Sequence, residues 1–456
     1  MNKPLVLFTA PVGTRSGYGA HSRDIARSLI AMDKFDIKIF PVRWGSTPQN
    51  ALNEKDPNDI EIIKRLLVNP NMERQPDVHI HCVVPNEFMN VAKYNIGITA
   101  GIETTACPQD WIEGLNRMDL NIVPSNFSKE ALEKTIYDRI DNNTKQVLGT
   151  IQCEKPIEVL FEGADTNIYK KPKQISKELK KEFQQIDESF LFLYVGHWLN
   201  GSIGNDRKDT GMLVKVFLET FKNYKKKPAL LMKTNSADFS VLDREDMMKR
   251  IRDIKNSVKG DDLPNVYLLH GDLTDEEINQ LYHHPRVKAH ISLTHGEGFG
   301  RPLLEASLSE KPVIASNWSG HKDFLPEDKA LMLPGNLTKT PSEAFPDNIY
   351  VEGSQWFSVN YPVASNVIKD VYENYKKYTS TAKKLSYENK NKFSLNAMTR
   401  EFEKILDKYL PEFEQQVSLK LPKLQPKTTS NIKLPKLKKK WYEWNIKRNK
   451  KVKKRS

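Results

Sequence analysis

The sequence predicts an α/β protein with two doubly wound domains, and three observations carry that expectation. Ten short, continuous apolar runs recur along the 456 residues. Amphipathic helical stretches such as AHSRDIARSLI stand between several of them. A polar, charged interval around residue 170 divides the runs into two series of five.

Continuous apolar runs read as strands covered on both faces, which means parallel sheets built from strand, helix, strand units. The first series is PLVLFTA (4–10), DIKIFPV (36–42), DVHIHCVV (77–84), NIGITA (95–100) and LNIVP (120–124). The second is FLFLYVG (190–196), ALLMKT (229–234), NVYLLHG (265–271), KAHISLT (288–294) and KPVIAS (311–316). Between them DRIDNNTKQ is polar, and ADTNIYKKPKQISKELKKEFQQ is charged and poor in large apolar residues. The expected domains are therefore 1–170 and 171–385. KFSLNAMTREFEKILDKYL (392–410) has helical periodicity. A C-terminal helix is expected over 386–410, with a return to the first domain as one option.

Charge is distributed unevenly. The chain carries a formal +12, yet residues 416–456 hold fifteen Lys and Arg against one acid, Glu443. That net +14 leaves residues 1–415 at −2. The same region repeats KLPKL at 420–424 and 433–437. Prolines and dense positive charge cannot bury a core, so 411–456 is expected to be a mobile basic tail. Cys82, Cys107 and Cys153 form no paired framework, which fits a reducing, cytoplasmic compartment. The start, MNKPLVLFTAPVG, offers no cleavable leader, and no apolar run approaches the roughly 20 residues needed to span a bilayer.

The stretch HGEGFGRPLLEAS (295–307) concentrates chemistry. Proline suits the first helical positions, where its missing N–H goes unused, so a helix is expected to start near Arg301. Glu297 then lies on the loop and Glu305 one turn into the helix, and the glycines can fold the loop so that both carboxylates face one cleft. A glycine-lined loop feeding a helix N-terminus after a parallel strand also offers backbone N–H groups to an anion. Acids beside an anion site suit a ligand that has hydroxyls as well as phosphates, as a sugar nucleotide does. The competing reading is a capping loop with solvated acids.

HGEGFGRPLLEASLSEKPVIAS resembles the signature of retaining glycosyltransferases of family 4, in which two glutamates flank seven residues within a B-type (GT-B) fold of two Rossmann-like domains facing each other across a cleft. The resemblance extends over roughly residues 1–410. It includes LFEGADTNIY (160–169), similar to the family's linker, and FLYVG followed by DRKDTGMLVKVF, similar to the segment bearing its basic phosphate ligands. The resemblance implies that Glu297 contacts the transferred sugar and Glu305 the nucleotide ribose, with Phe299 and Gly300 lining the pocket. It implies a catalytic Arg207 and Lys208 at the start of a helix, meeting the diphosphate as a fork donor and a point charge. Where the family commonly has an arginine, His197 follows Gly196. Either His197 donates a hydrogen bond there or Arg207 compensates.

In the first domain SGYGAHS is a near miss to the dinucleotide fingerprint, Ser22 standing at the third glycine. It resembles the family's N-domain glycine loop, which places Gly17 and Gly19 by the diphosphate. Strand alternation puts His79 and His81 on one face. The resemblance marks His81 as the active-site member, and the spacing with Cys82 matches no closed zinc pattern. Glu103 and Ser125 stand at later strand ends, as cleft residues or as a loop acid and a helix cap. Gly271 is expected at the nucleobase, and Asp323 in the family's later acidic turn.

The implied activity is transfer of a hexose from a UDP- or GDP-sugar, with no cofactor and no metal. No phosphate loop, nucleophile elbow or Asp-x-Asp pair appears in the sequence. A glycan or lipid-linked acceptor is expected. The tail 416–456 reads as a solubility segment, as an anionic membrane anchor with Trp441, Tyr442 and Trp444 at the headgroups, or as a nucleic-acid arm. The membrane reading is preferred, giving a peripheral enzyme. Two alternatives stand beside it: a DNA-directed glycosyltransferase acting on modified bases, and a glycosyltransferase-like binding protein without activity.

Overall fold

In the computed structural model the described residues are 3–413, apart from 70, 71, 73, 142, 200, 237, 238, 346–348 and 350. The basic segment 416–456 lies outside them. Each of the ten apolar runs contains or overlaps a strand.

The first sheet is formed by β1 (Leu5–Ala10), β2 (Asp36–Pro41), β3 (Val78–Cys82), β4 (Tyr94–Ile98) and β5 (Leu120–Val123). A short hairpin, β6 (Tyr137–Ile140) and β7 (Val147–Ile151), follows, and then β8 (Ile157–Val159) completes the sheet in the order β2-β1-β3-β4-β5-β8, all parallel. The hairpin falls on the polar stretch DRIDNNTKQ and is almost wholly exposed. Without a buried face it has no apolar pattern to announce it.

The second sheet contains β9 (Leu191–Val195), β10 (Ala229–Lys233), β11 (Val266–Leu269), β12 (Val287–Ile291), β13 (Val313–Ser316) and β14 (Leu331–Leu333). Its order is β11-β10-β9-β12-β13-β14, again parallel, and β15 (Gly335–Lys339) pairs antiparallel with β16 (Gln355–Val359) beside it. The strand order reverses between β9 and β12, and in the first sheet between β1 and β3. Such reversals open a crevice at the carboxyl ends of the strands, where open α/β sheets bind ligands. Both faces of the second sheet are covered. Phe192, Met232 and Ile291 pack with Leu213, Phe217 and Phe221, while Leu193, Leu231 and Val313 pack with Leu281, Leu303 and Leu304.

The chain crosses between domains twice, side by side. Leu160 belongs to the first core and Tyr169 to the second. The return comes at Phe393–Leu395, where Ala164 N donates to Phe393 O and Leu395 N to Ala164 O, at 2.9 and 2.8 Å. A Cβ on Gly163 would lie 2.6 Å from Leu395 Cα, so only glycine permits this approach. The boundary expected at 385 falls inside the helix Lys376–Lys392, whose Leu385 packs in the second core. Past the crossing, the helix Leu395–Tyr409 puts Met398, Phe402, Ile405 and Leu406 into the first core. Burying a side chain such as Phe402 contributes roughly 2–3 kcal/mol, so this helix is held by the first domain.

Candidate active site

The loop between β12 and the helix Arg301–Ser307 sits at the reversal point of the second sheet. Gly300 caps that helix with φ of +97°, a left-handed conformation that favours glycine, and Pro302 occupies its first turn. Glu297 is buried on the loop. Its backbone N–H donates to Ser319 Oγ at 2.9 Å, and its carbonyl accepts from Gly320 N at 2.9 Å.

Lys208 Nζ donates to Glu297 Oε1, and an Arg207 guanidinium nitrogen lies 3.7 Å from Oε2. Burial opposes ionisation of Glu297, but Lys208 and Arg207 more than offset it and hold the carboxyl below the usual range. Neither cation opens a helix. Both lie in the turn before Thr210–Phe221, because Asp209 adopts a left-handed conformation (φ of 51°) and Asp206 takes the helix N-terminus, accepting from Thr210 N at 3.0 Å. The turn is fixed by His295 N, which donates to Arg207 O at 2.9 Å, and by Tyr361 Oη, which donates to Asp209 Oδ2 at 2.8 Å.

Glu305 is also buried. Arg301 Nε donates to its Oε1 at 2.9 Å, and the same guanidinium reaches Asp24 of the first domain. Glu162, on the crossing segment, stands in the field of Arg301, Asp24, Glu305 and Glu297. It makes no hydrogen bond or ion pair among the described residues, and burial pushes its carboxyl up to about 7.

The two domains meet along this loop. Arg207 pairs with Glu103 at 3.2 Å, Arg15 with Asp272 at 3.4 Å, and Ser125 Oγ donates to Gly298 O at 2.5 Å. Asp323 accepts from Asn126 N at 2.9 Å, and the rings of Phe127 and Trp318 lie 4.6 Å apart. Three glycines make the approach possible. A Cβ on Gly296 would come within 2.2 Å of Glu103 O, one on Gly298 within 2.1 Å of Ala100 O, and one on Gly320 within 2.8 Å of Ser125 Oγ. Glycines that read as an anion-binding bend therefore also serve the contact between domains.

The remaining candidates divide. Gly17 is exposed with open space around it at the start of the helix Gly17–Met32. Gly19 is buried, its Cβ position 2.2 Å from Thr14 O, so a side chain there would clash with the loop that precedes the helix. His81 ends β3, and its Nδ1 accepts from Met89 N at 3.2 Å, while His79 bonds Met89 O and Thr9 Oγ1. Burial, then the neighbouring His79, hold His81 down to about 3. Among the described residues His81 makes no hydrogen bond with the second-domain cluster, and no three His, Cys, Asp or Glu side chains are grouped to hold a metal ion. His197 keeps Nδ1 3.2 Å from Ser236 O. Gly271 has φ of +131° and open space around it.

The Phe299 ring is buried in the second core, its centroid 4.9 Å from that of Phe324, so the side chain packs there rather than lining the crevice as expected. Sequence reasoning missed Glu162, Asp24 and Arg301, and also Lys233, whose one signal was its place at the polar end of an apolar strand.

A doubly wound sheet in the order 3-2-1-4-5-6, with acids and cations paired at its reversal point, defines a Rossmann-like α/β domain. Residues 213–349, within the second domain, match the family model described as glycosyl transferases group 1, and the two domains form a GT-B frame. HepE from Anabaena, crystallised with UDP and glucose, is 16% identical with a TM-score of 0.54, over 89% of this chain and 100% of that one. A glycosyltransferase from Rickettsia africae is 17% identical with a TM-score of 0.58, over 90% and 99%. Sucrose-phosphate synthase from Thermosynechococcus elongatus is 13% identical with a TM-score of 0.58, over 89% and 99%. At these identities the likeness is one of fold. No curated protein matches the sequence.

Proposed function

We propose that the protein transfers a hexose from a UDP- or GDP-sugar to a glycan, lipid-linked or other acceptor, with retention at the anomeric carbon and without a metal ion. The observation that carries this reading is the cluster of Lys208, Arg207 and Glu297 at the reversal point of a group 1 glycosyl transferase domain. As the glycosyl bond breaks, the diphosphate gains negative charge, and Arg207, Lys208 and the helix N-terminus at Arg301 stabilise it. In the structure both cations are held by Glu297 and Glu103, so the donor's phosphates exchange with those carboxylates on binding. Glu297 then accepts from sugar hydroxyls and Glu305 from the ribose. Retention follows if a phosphate oxygen on the departing face takes the acceptor proton.

The net +14 of residues 416–456 favours an acceptor at a polyanionic surface. An anionic membrane on the cytoplasmic side suits a lipid-linked acceptor, and duplex DNA with modified bases is the second reading. The test is a thermal-shift screen of UDP-, GDP- and ADP-sugars, followed by nucleotide release with candidate acceptors in EDTA. Product anomeric configuration is read by NMR. Absence of any nucleotide-sugar binding sinks the proposal, and binding without release for every acceptor selects the inactive scaffold. DNA binding with a steep salt slope selects the second reading.

A further inference from the structure

Lys233 ends β10 at the crevice, next to the loop that carries His197, where Gly196 N donates to Lys233 O at 3.2 Å. The residue is 8% exposed. Among the described residues its ammonium has no hydrogen-bond acceptor and no carboxylate within ion-pairing distance. The ammonium lies over the Phe239 ring, with Nζ 5.5 Å from the centroid. The carboxylate whose field it feels, Asp272, is already paired with Arg15 of the first domain. Burying a cation without a counter-ion is unfavourable, and desolvation brings this amine down to about 8. The other two cations of the site, Lys208 and Arg207, are both satisfied by carboxylates.

The position of the unpaired charge is informative. His197 follows β9 and feels the fields of both Lys208 and Lys233, so the two amines act on the same end of the sheet. We propose that Lys233, buried and without a counter-ion at the end of β10, binds a phosphate of the donor's diphosphate in the crevice. This rests on the nucleotide-sugar reading above. It leaves the Lys233 ammonium open to a phosphate before any ion pair is broken, while Lys208 and Arg207 exchange partners as the diphosphate settles.

Isothermal titration of the full chain with UDP, UMP and uridine tests the assignment, with GDP in place of UDP if the donor screen selects it. Lys233→Met is expected to weaken UDP binding roughly ten- to hundredfold, the effect of one lost charge-assisted contact. Uridine binding is expected to stay within about twofold of wild type, because neither its base nor its ribose is contacted. Lys233→Arg keeps most of the UDP affinity. Thermal unfolding without ligand separates this from a packing role: removing an unpaired buried charge leaves the melting temperature unchanged or higher, whereas a structural lysine would lower it. UDP affinity unchanged in Lys233→Met, or uridine weakened as much as UDP, overturns the proposal. Failure of the wild-type chain to bind any nucleoside diphosphate overturns the nucleotide-sugar reading itself.

Discussion

Lys208 donates its ammonium to the Glu297 carboxylate across the reversal point of the second sheet, tying the turn before Thr210–Phe221 to the glycine-rich loop after β12. Both side chains are buried, and each neutralises the other where solvent cannot. Removing one partner of a buried pair leaves an uncompensated charge, at a cost of roughly 3–5 kcal/mol, while replacing both can be nearly neutral. Arg207, 3.7 Å from Glu297, softens the loss.

Lys208→Met is therefore expected to lower both stability and turnover, stability by the smaller part of that range. The double variant Lys208→Met, Glu297→Gln is expected to regain stability without regaining nucleotide release. Thermal unfolding and a nucleotide-release assay on the wild type and the two variants check this. A double variant as unstable as the single one would show that the pair is not what holds the loop.

Gly298→Ala tests the contact between domains. Gly298 does not adopt a left-handed backbone, so the only obstacle to a side chain is the approach of Ala100 O, 2.1 Å from the Cβ position. A backbone oxygen cannot move aside as a flexible side chain can. Overpacking of this kind costs typically 1–3 kcal/mol, and here it falls on the interface rather than on either core. Both domains should stay folded while Ser125 and Ser128 lose Gly298 O as an acceptor. Hydrogen exchange is expected to rise in 100–103 and 296–300 and to stay unchanged in β9 and β10. Equal protection in both regions would contradict this.

The strands were legible because parallel strands buried on both faces leave continuous apolar runs, as in PLVLFTA and FLFLYVG. The positions of Glu297 and Glu305 were legible because Pro302 and Gly300 mark a helix start. What joins Lys208 to Glu297, 89 positions apart, is the adjacency of β9 and β12, and strand order is a property of the whole sheet that no local pattern writes. The same holds for Arg207 with Glu103 and for Arg301 with Asp24, which depend on how two domains meet. Phe299 was misplaced because a loop aromatic between glycines reads alike whether it faces a ligand or a core.

Asp24→Asn probes the second bridge. Arg301 links Asp24 of the first domain to Glu305 of the second, so the substitution leaves the guanidinium with one charged partner. Losing one charge-assisted hydrogen bond in a buried setting costs about 1.5–3 kcal/mol. The variant is expected to unfold at lower temperature, and Arg301→Lys is expected to behave similarly, because an ammonium lacks the planar fork that spans two carboxylates. Unchanged melting temperatures in both variants would rule the bridge out as a stabilising contact.

Glu162 predicts how stability responds to pH. Burial raises its carboxyl from an ordinary 4.5 to about 7, against the opposing field of Arg301. Between those values the folded chain holds a proton that the unfolded chain has released, so the contribution of Glu162 to stability falls as pH rises from 4.5 to 7 and is level above that. At about 1.4 kcal/mol per pKa unit, the loss is on the order of 3 kcal/mol. Glu162→Gln has no proton to lose. Its stability relative to wild type is expected to rise across that window and to hold steady beyond pH 7. Urea unfolding of both proteins at pH 5, 6, 7 and 8 measures the difference, and parallel curves would mean that Glu162 ionises freely in the folded chain.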